Sequence, residues 1–343
     1  MLAFAMIFHF LVDALCGSAM LGYVVEDAPD GDFWLIMGYN FLAFATQVLT
    51  GWLADRLKHD RWLWLLSLLM VISGATVGLC HPWLATALLG LGNSLFHVSA
   101  GREVIRRHTL AGKSKARELG LFVGPGALGI GLGCMFPKEM YIVSLAGMFI
   151  VLALFLWLRP AETAETTAES TSARTSESNW RYRAQAAAMM TFCVFCRAAS
   201  GFCGPSPWRS SMALCILCFL LVMGGKMAGG FIGDRWGHWR TGLAALVISW
   251  ILLVIGGESI CLALSAQFVA NLLMAITLYV LVKLYPSSPG MMFGLAAVVL
   301  FPGLLMKFLP NHETIFGIAY LLACLSFGAA WWLSVKKWKG RYL

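Results

Sequence analysis

The chain has 343 residues, of which 59% are hydrophobic and only 12% charged, and its mean hydropathy is +0.77. A soluble fold of this length could not hide that much apolar surface. The net charge of +8 is no nucleic-acid footprint either, because Lys and Arg fall in short connectors between long apolar blocks.

Those blocks run for roughly 18–24 residues, the span of a bilayer. About twelve follow one another: 2–24, 33–53, 62–80, 82–100, 118–136, 139–158, 184–204, 212–233, 240–256, 259–282, 289–308 and 313–335. The first has no basic stretch or cleavage site ahead of "EDAPDGD", so it reads as a membrane helix and not a removable leader. The connectors alternate. "DRLKHDRW", "GREVIRRHTLAGKSKARE", the 159–183 segment, "DRWGHWR", Lys283 and "KKWKGRYL" are basic; "EDAPDGD", "HP", "PKE", "GPSPWRSS", "GGES" and "PNHE" are acidic or nearly neutral. Lys and Arg stay on the cytoplasmic side. The expectation is a multi-pass protein of the cell inner (plasma) membrane with an even number of spans and both termini cytoplasmic. Residues 159–182, centred on "AETAETTAESTSARTSES", lack apolar periodicity and read as a disordered cytoplasmic linker. They divide six spans in 1–158 from six in 183–343.

Three pairs of phrases repeat between these halves. "GWLADRLKHDR" and "GFIGDRWGHWR" both close the second span of a half, sharing Gly51, Asp55 and Arg56 with Gly230, Asp234 and Arg235. "DALCG" at Asp13 aligns with "RAASG" at Arg197 in the first spans. "GPGALG" (Gly124, Pro125, Gly126) aligns with "FPGLLM" (Pro302, Gly303) in the fifth. The fold class that follows is an all-α polytopic membrane protein of two pseudo-symmetric six-helix bundles, a transporter architecture.

On these residues the sequence resembles the major facilitator superfamily. The Gly-x-x-x-Asp-Arg phrase carries the likeness. Its second copy, with Gly237 and Arg240, is the closer one; in the first copy Lys58 stands where the family usually has glycine. "GLFVGPGALG" (Gly120, Gly124, Pro125, Gly129) looks like the fifth-span glycine-proline hinge motif of the family's antiporters. The family's fourth-span arginine is missing, and Asn93 and His97 are the polar residues there. The resemblance implies a conformational latch: the aspartate caps or pairs with a facing helix end, the arginine binds a carboxylate, and the contact breaks in the other state. Glycine four residues earlier lets the facing helix come close.

Asp13 is the anomaly. A charge at a helix centre costs about 2.5–3.5 kcal/mol on insertion scales, so Asp13 must face protein or water. Counted at about 1.5 Å per residue, it and Arg197 lie about 18 and 21 Å from the cytoplasmic ends of their spans, and the resemblance puts both spans on a central cavity. The two are expected to pair across it or to bind substrate and proton in turn, with His9 one turn from Asp13 tuning it. Lys226 lies about 12 Å in from the cytoplasmic surface, and its first-half counterpart is Gln47. Lys307 sits near the outer end of the eleventh span, where it could instead snorkel to the interface. His97 is expected near the cytoplasmic end of its span, where histidine is ordinarily a hydrogen-bonded packing residue.

One acid in the first half against three bases in the second suits an anionic solute. The expected function is secondary active transport of a small organic anion, coupled to protons, by a monomer whose partners are the bilayer and its substrate. A proton-driven multidrug efflux antiporter is the rival within the class. A membrane redox or metal-handling protein using His9, His97 and the cysteine pairs is the rival outside it, requiring histidines that face each other across helices, or a cofactor. The ten cysteines lie mostly in apolar blocks and predict no disulfide framework. The pairs Cys193/Cys196 and Cys215/Cys218 share helix faces that could hold a soft metal, but cysteine is also an ordinary small membrane-helix residue. The expectation is no metal, no cofactor and no enzyme activity.

Overall fold

The computed structural model describes residues 1–26, 32–77, 80–110, 116–158, 180–256 and 258–334. All regular structure among them is helical. Eleven helices are long and apolar enough to cross a membrane: α1 (Leu2–Val24), α2 (Asp32–Leu57), α3 (Asp60–Val77), then, beyond α4, α5 (Arg117–Met135), α6 (Pro137–Leu158), α7 (Trp180–Cys203), α8 (Met212–Trp236), α9 (His238–Gly256), α10 (Ile260–Leu284), α11 (Pro289–Phe308) and α12 (Ile315–Trp332). The remaining helix, α4 (Pro82–Val104), is long enough but too polar. It carries Asn93, Ser94, Ser99, Arg102 and Glu103, all buried. A helix enclosed by other helices needs no lipid-compatible face, so it can carry the polar groups. The chain is therefore a multi-pass membrane protein.

Several boundaries move. The expected linker falls mostly on 159–179, outside the described residues; its last three positions, 180–182, are instead the first turn of α7. The stretch read as the connector "GREVIRRHTL" is helical: α4 runs to Val104 and continues in wider turns through Ile105–Leu110. Its polar residues bond along the helix, as in the Arg107–Glu103 ion pair at 2.6 Å, so the basic run need not leave the bundle.

Two packing rules repeat. In each half the fifth helix lies on the first, α5 on α1 and α11 on α7. Between halves, the second helix of one lies on the fifth of the other, α2 on α11 and α8 on α5. The glycines of α5 sort onto two faces at about 100° per residue. A side chain at Gly126, Gly129 or Gly133 would overlap α1 at His9, Phe10 or Ala14; one at Gly120, Gly124 or Gly131 would overlap α8 at Lys226, Met227 or Phe219. The glycine-proline motif thus lies in the seam between halves on one side and holds α1 on the other. Gly303 meets Ala198 and Ala199 of α7, the counterpart of Gly126 against α1. Beneath these contacts an aromatic cluster of Phe8, Trp64, Phe96 and Phe155 fills the first half, all fully buried.

Candidate functional site

At the basic end of the bundle two carboxylates cross between the halves. Asp55, at the end of α2, accepts the backbone N–H groups of Gly290 and Met291 at 2.9 and 2.8 Å, capping the start of α11. Asp234, at the end of α8, accepts those of Ala116 and Arg117 at 2.9 and 3.2 Å, capping the start of α5. Helix N-termini leave N–H groups without intrahelical partners and attract negative charge, so each acid is matched to its helix end. The glycines explain the approach: a side chain at Gly51 would overlap the Gly290 carbonyl, and one at Gly230 would overlap Ala116. The position three residues after each aspartate has positive φ, +59° at Lys58 and +96° at Gly237. That left-handed conformation suits glycine, and Lys58 adopts it at the end of its helix.

The arginines of the repeated phrase do not take the carboxylates. Arg56 is exposed and lies over the Trp52 ring, 4.3 Å from its centroid, and Arg235 is also exposed. The side-chain partner of Asp55 is Arg102 of α4, whose Nε donates at 2.9 Å while Nη1 donates to Asp60 of α3 at 2.5 Å. Arg106 adds a second donor to Asp60 at 3.3 Å. The partner of Asp234 is His238, with Nε2 at 2.9 Å from Oδ1. Sequence reading missed Arg102, Asp60 and His238. The basic run around Arg102 looked like ordinary loop charge, and only the helical extension of α4 turns that arginine inward.

Deeper in the bundle the helices bring four polar residues of the first half together. Asp13 accepts from the side-chain amide of Asn93 at 2.9 Å. His9 Nε2 lies 3.4 Å from Asp13 Oδ2, and His97 Nε2 lies 3.7 Å from Oδ1. The two imidazoles meet edge to face, centroids 4.5 Å apart. Each ring turns its other nitrogen to a backbone carbonyl: His9 Nδ1 to Phe122 at 2.7 Å and His97 Nδ1 to Asn93 at 2.9 Å. Pro125, inside α5, removes a helix hydrogen bond close to the turn that offers the Phe122 carbonyl. His97 therefore does not lie near a helix end. α4 extends beyond it to Val104, and it faces α1 across the bundle.

The second half brings bases to the same region. Lys226 of α8 lies within electrostatic reach of both Asp13 and Arg197, and His97 feels Lys226 in turn. Arg197 and Asp13 do not pair. The Arg197 guanidinium instead donates toward the sulfur of Met274 at 3.5 Å. One reason is register: α7 begins at Trp180, which puts Arg197 about 26 Å along its helix against about 17 Å for Asp13. Among the described residues neither Arg197 nor Lys226 has a carboxylate within ion-pair distance.

Two candidates are not drawn in. Gln47 is buried in the α2–α11 seam, where its amide donates to the Ala43 carbonyl at 2.8 Å and its side-chain oxygen has no partner. Lys307 sits in a short turn (Met306–Phe308) at the far end of α11, near Cys203. Cys193, Cys196 and Cys218 are buried and Cys215 partly so.

The sequence matches no family model and no curated protein. Solved structures do match over nearly the whole chain. The human organic anion transporter MFSD10 (TETRAN) shares 16% identity at a TM-score of 0.70, covering 96% of this chain and 98% of that one. The E. coli fucose:proton symporter FucP shares 14% identity at a TM-score of 0.61, covering 97% of each. A second FucP structure, in the outward conformation, gives 14% identity and a TM-score of 0.58. At these identities the likeness is one of fold: the chain shares the fold of these proteins, of which FucP is a major facilitator superfamily transporter.

Proposed function

We propose that this protein is a secondary transporter of small organic anions, working by alternating access between bodies formed by residues 1–158 and 180–343, with 159–179 as their linker. The observation that carries the reading is that, among the described residues, neither Arg197 nor Lys226 has an acid within ion-pair distance. A charged group inside a membrane-spanning bundle is costly unless paired. Arg197 and Lys226 lie in electrostatic reach of each other, and their like charges repel. A carboxylate between them relieves both penalties, and a guanidinium can hold it by two parallel hydrogen bonds. The MFSD10 fold neighbour, an organic anion transporter by name, agrees with this chemistry.

In this reading the basic end is cytoplasmic and the protein sits in the cell inner membrane. The Asp55 and Asp234 caps hold that end shut. α4 packs on α11 and α5 on α10 there, which adds to the closure of that end. Opening inward requires both caps to release. Asp13 seats the cation that travels with the anion, a proton in the simplest case.

Solid-supported-membrane currents on proteoliposomes, across a panel of organic acids and lipophilic amines, test this. Organic acids should give currents that Arg197→Gln removes. Currents from lipophilic amines alone would replace this reading with drug efflux.

A further inference from the structure

The His9–Asp13–His97 cluster has more acceptors than an ordinary buried ion pair. A carbonyl can only accept, so the bonds to Phe122 and Asn93 place a proton on Nδ1 of each ring. In a neutral ring Nε2 then holds a lone pair, and both lone pairs turn toward the Asp13 carboxylate. Three acceptors facing one another repel. A proton on one ring relieves one contact and leaves the other. Protons on both rings set two cations 4.5 Å apart, centroid to centroid, against one carboxylate, with Lys226 in reach of the same group.

We propose that His9 Nε2, His97 Nε2 and the Asp13 carboxylate bind a divalent first-row transition-metal ion of the Zn²⁺ class. A dication meets all three lone pairs at once. The ligand atoms lie within 4.8 Å of one another, and a tetrahedral ion with bonds of about 2.0–2.2 Å holds its ligands about 3.3–3.6 Å apart, so small side-chain shifts close the site. Two imidazoles and one carboxylate suit Zn²⁺, Co²⁺ or Ni²⁺ better than Mg²⁺ or Ca²⁺, which favour all-oxygen sets. The outer partners are already in place. Two backbone carbonyls fix the imidazole tautomers, and the Asn93 amide orients the carboxylate, as second-shell groups do around metal ligands. Gly126 keeps the meeting point clear, since a side chain there would overlap both His9 Nε2 and Asp13. The sequence had not predicted this site because its ligands come from two helices some eighty residues apart.

Three protein ligands leave a fourth position, which an anion drawn to Arg197 and Lys226 can fill. That clause rests on the transport reading; the three-ligand site does not.

The test is Co²⁺ added to the purified full-length protein in detergent, without any anion or membrane gradient. The expected result is one Co²⁺ per chain with the visible absorption of a tetrahedral ion, weakened at least about 10-fold in His97→Gln and in Gly126→Ala. A wild type that binds no Co²⁺, or a His97→Gln protein that binds it equally well, overturns the proposal. Should the variants fail to fold, zinc-edge X-ray absorption on the wild type decides. Nitrogen and oxygen ligands alone support the site, and a sulfur ligand moves the ion to the cysteines and overturns it. Failure of anion transport leaves these readouts untouched.

Discussion

The two halves of the bundle treat buried charge in opposite ways. In the first half Asp13 comes with an amide and two imidazoles from α1 and α4. In the second half, among the described residues, Arg197 donates only toward a thioether and Lys226 has no hydrogen-bonding partner. A dressed charge holds its own surroundings in place. A bare one stores a demand that a ligand can satisfy, and in the proposed reading the contrast separates a cation seat from an anion seat.

Paired substitutions break or sharpen this contrast. The largest expected effect is functional. Arg197→Gln should cut anion flux by about 30-fold or more, the loss of a charge-assisted contact worth about 2–4 kcal/mol, while the melting temperature holds or rises because an unpaired charge has gone. Asp13→Ala should behave in the reverse sense in stability, costing about 1–3 kcal/mol as the Asn93 amide loses its acceptor. Equal melting shifts in the two variants would remove the distinction between dressed and bare charge.

Next in size are the caps. Asp55→Ala removes both the cap of α11 and one of the two carboxylates that hold the buried Arg102, and should cost about 2–3 kcal/mol, whereas Asp234→Ala loses a helix cap and a His238 contact, about 1–2 kcal/mol. Chemical or thermal denaturation in detergent measures both, and a larger loss at Asp234 would show that Arg102 is not the anchor. Smaller still is Lys58→Gly, which should raise stability by about 0.5–1 kcal/mol by relieving the left-handed backbone. The smallest is Lys307→Gln. It should change anion flux less than about 2-fold, since the residue lies at the far end of α11, and a large loss would extend the anion path outward.

Much of this was legible in the sequence, and the residues show why. The span lengths, the Gly51–Asp55 and Gly230–Asp234 phrases and the lone Asp13 are local signals, each readable from a dozen neighbours. Asp55 and Asp234 do meet facing helix ends, as expected. The choice of partner was not legible. Arg56 is next to Asp55 in sequence but turns to Trp52, while Arg102, from another helix, takes the carboxylate. His97 looked peripheral because "GREVIRRHTL" reads as a basic connector; the helix continues through it, because its Arg and Glu side chains pair within the bundle. The matched depth of Asp13 and Arg197 depended on where α7 begins, and a first turn at Trp180 shifted it by several ångströms.

The most direct test of the central claim is counterflow of a labelled organic anion into proteoliposomes, comparing the wild type with Arg197→Gln and Lys226→Gln at equal protein incorporation. The account predicts saturable, anion-specific exchange in the wild type and its loss in both variants. Exchange that persists in both, or wild-type protein that exchanges no organic anion while moving neutral or cationic solutes, would contradict it.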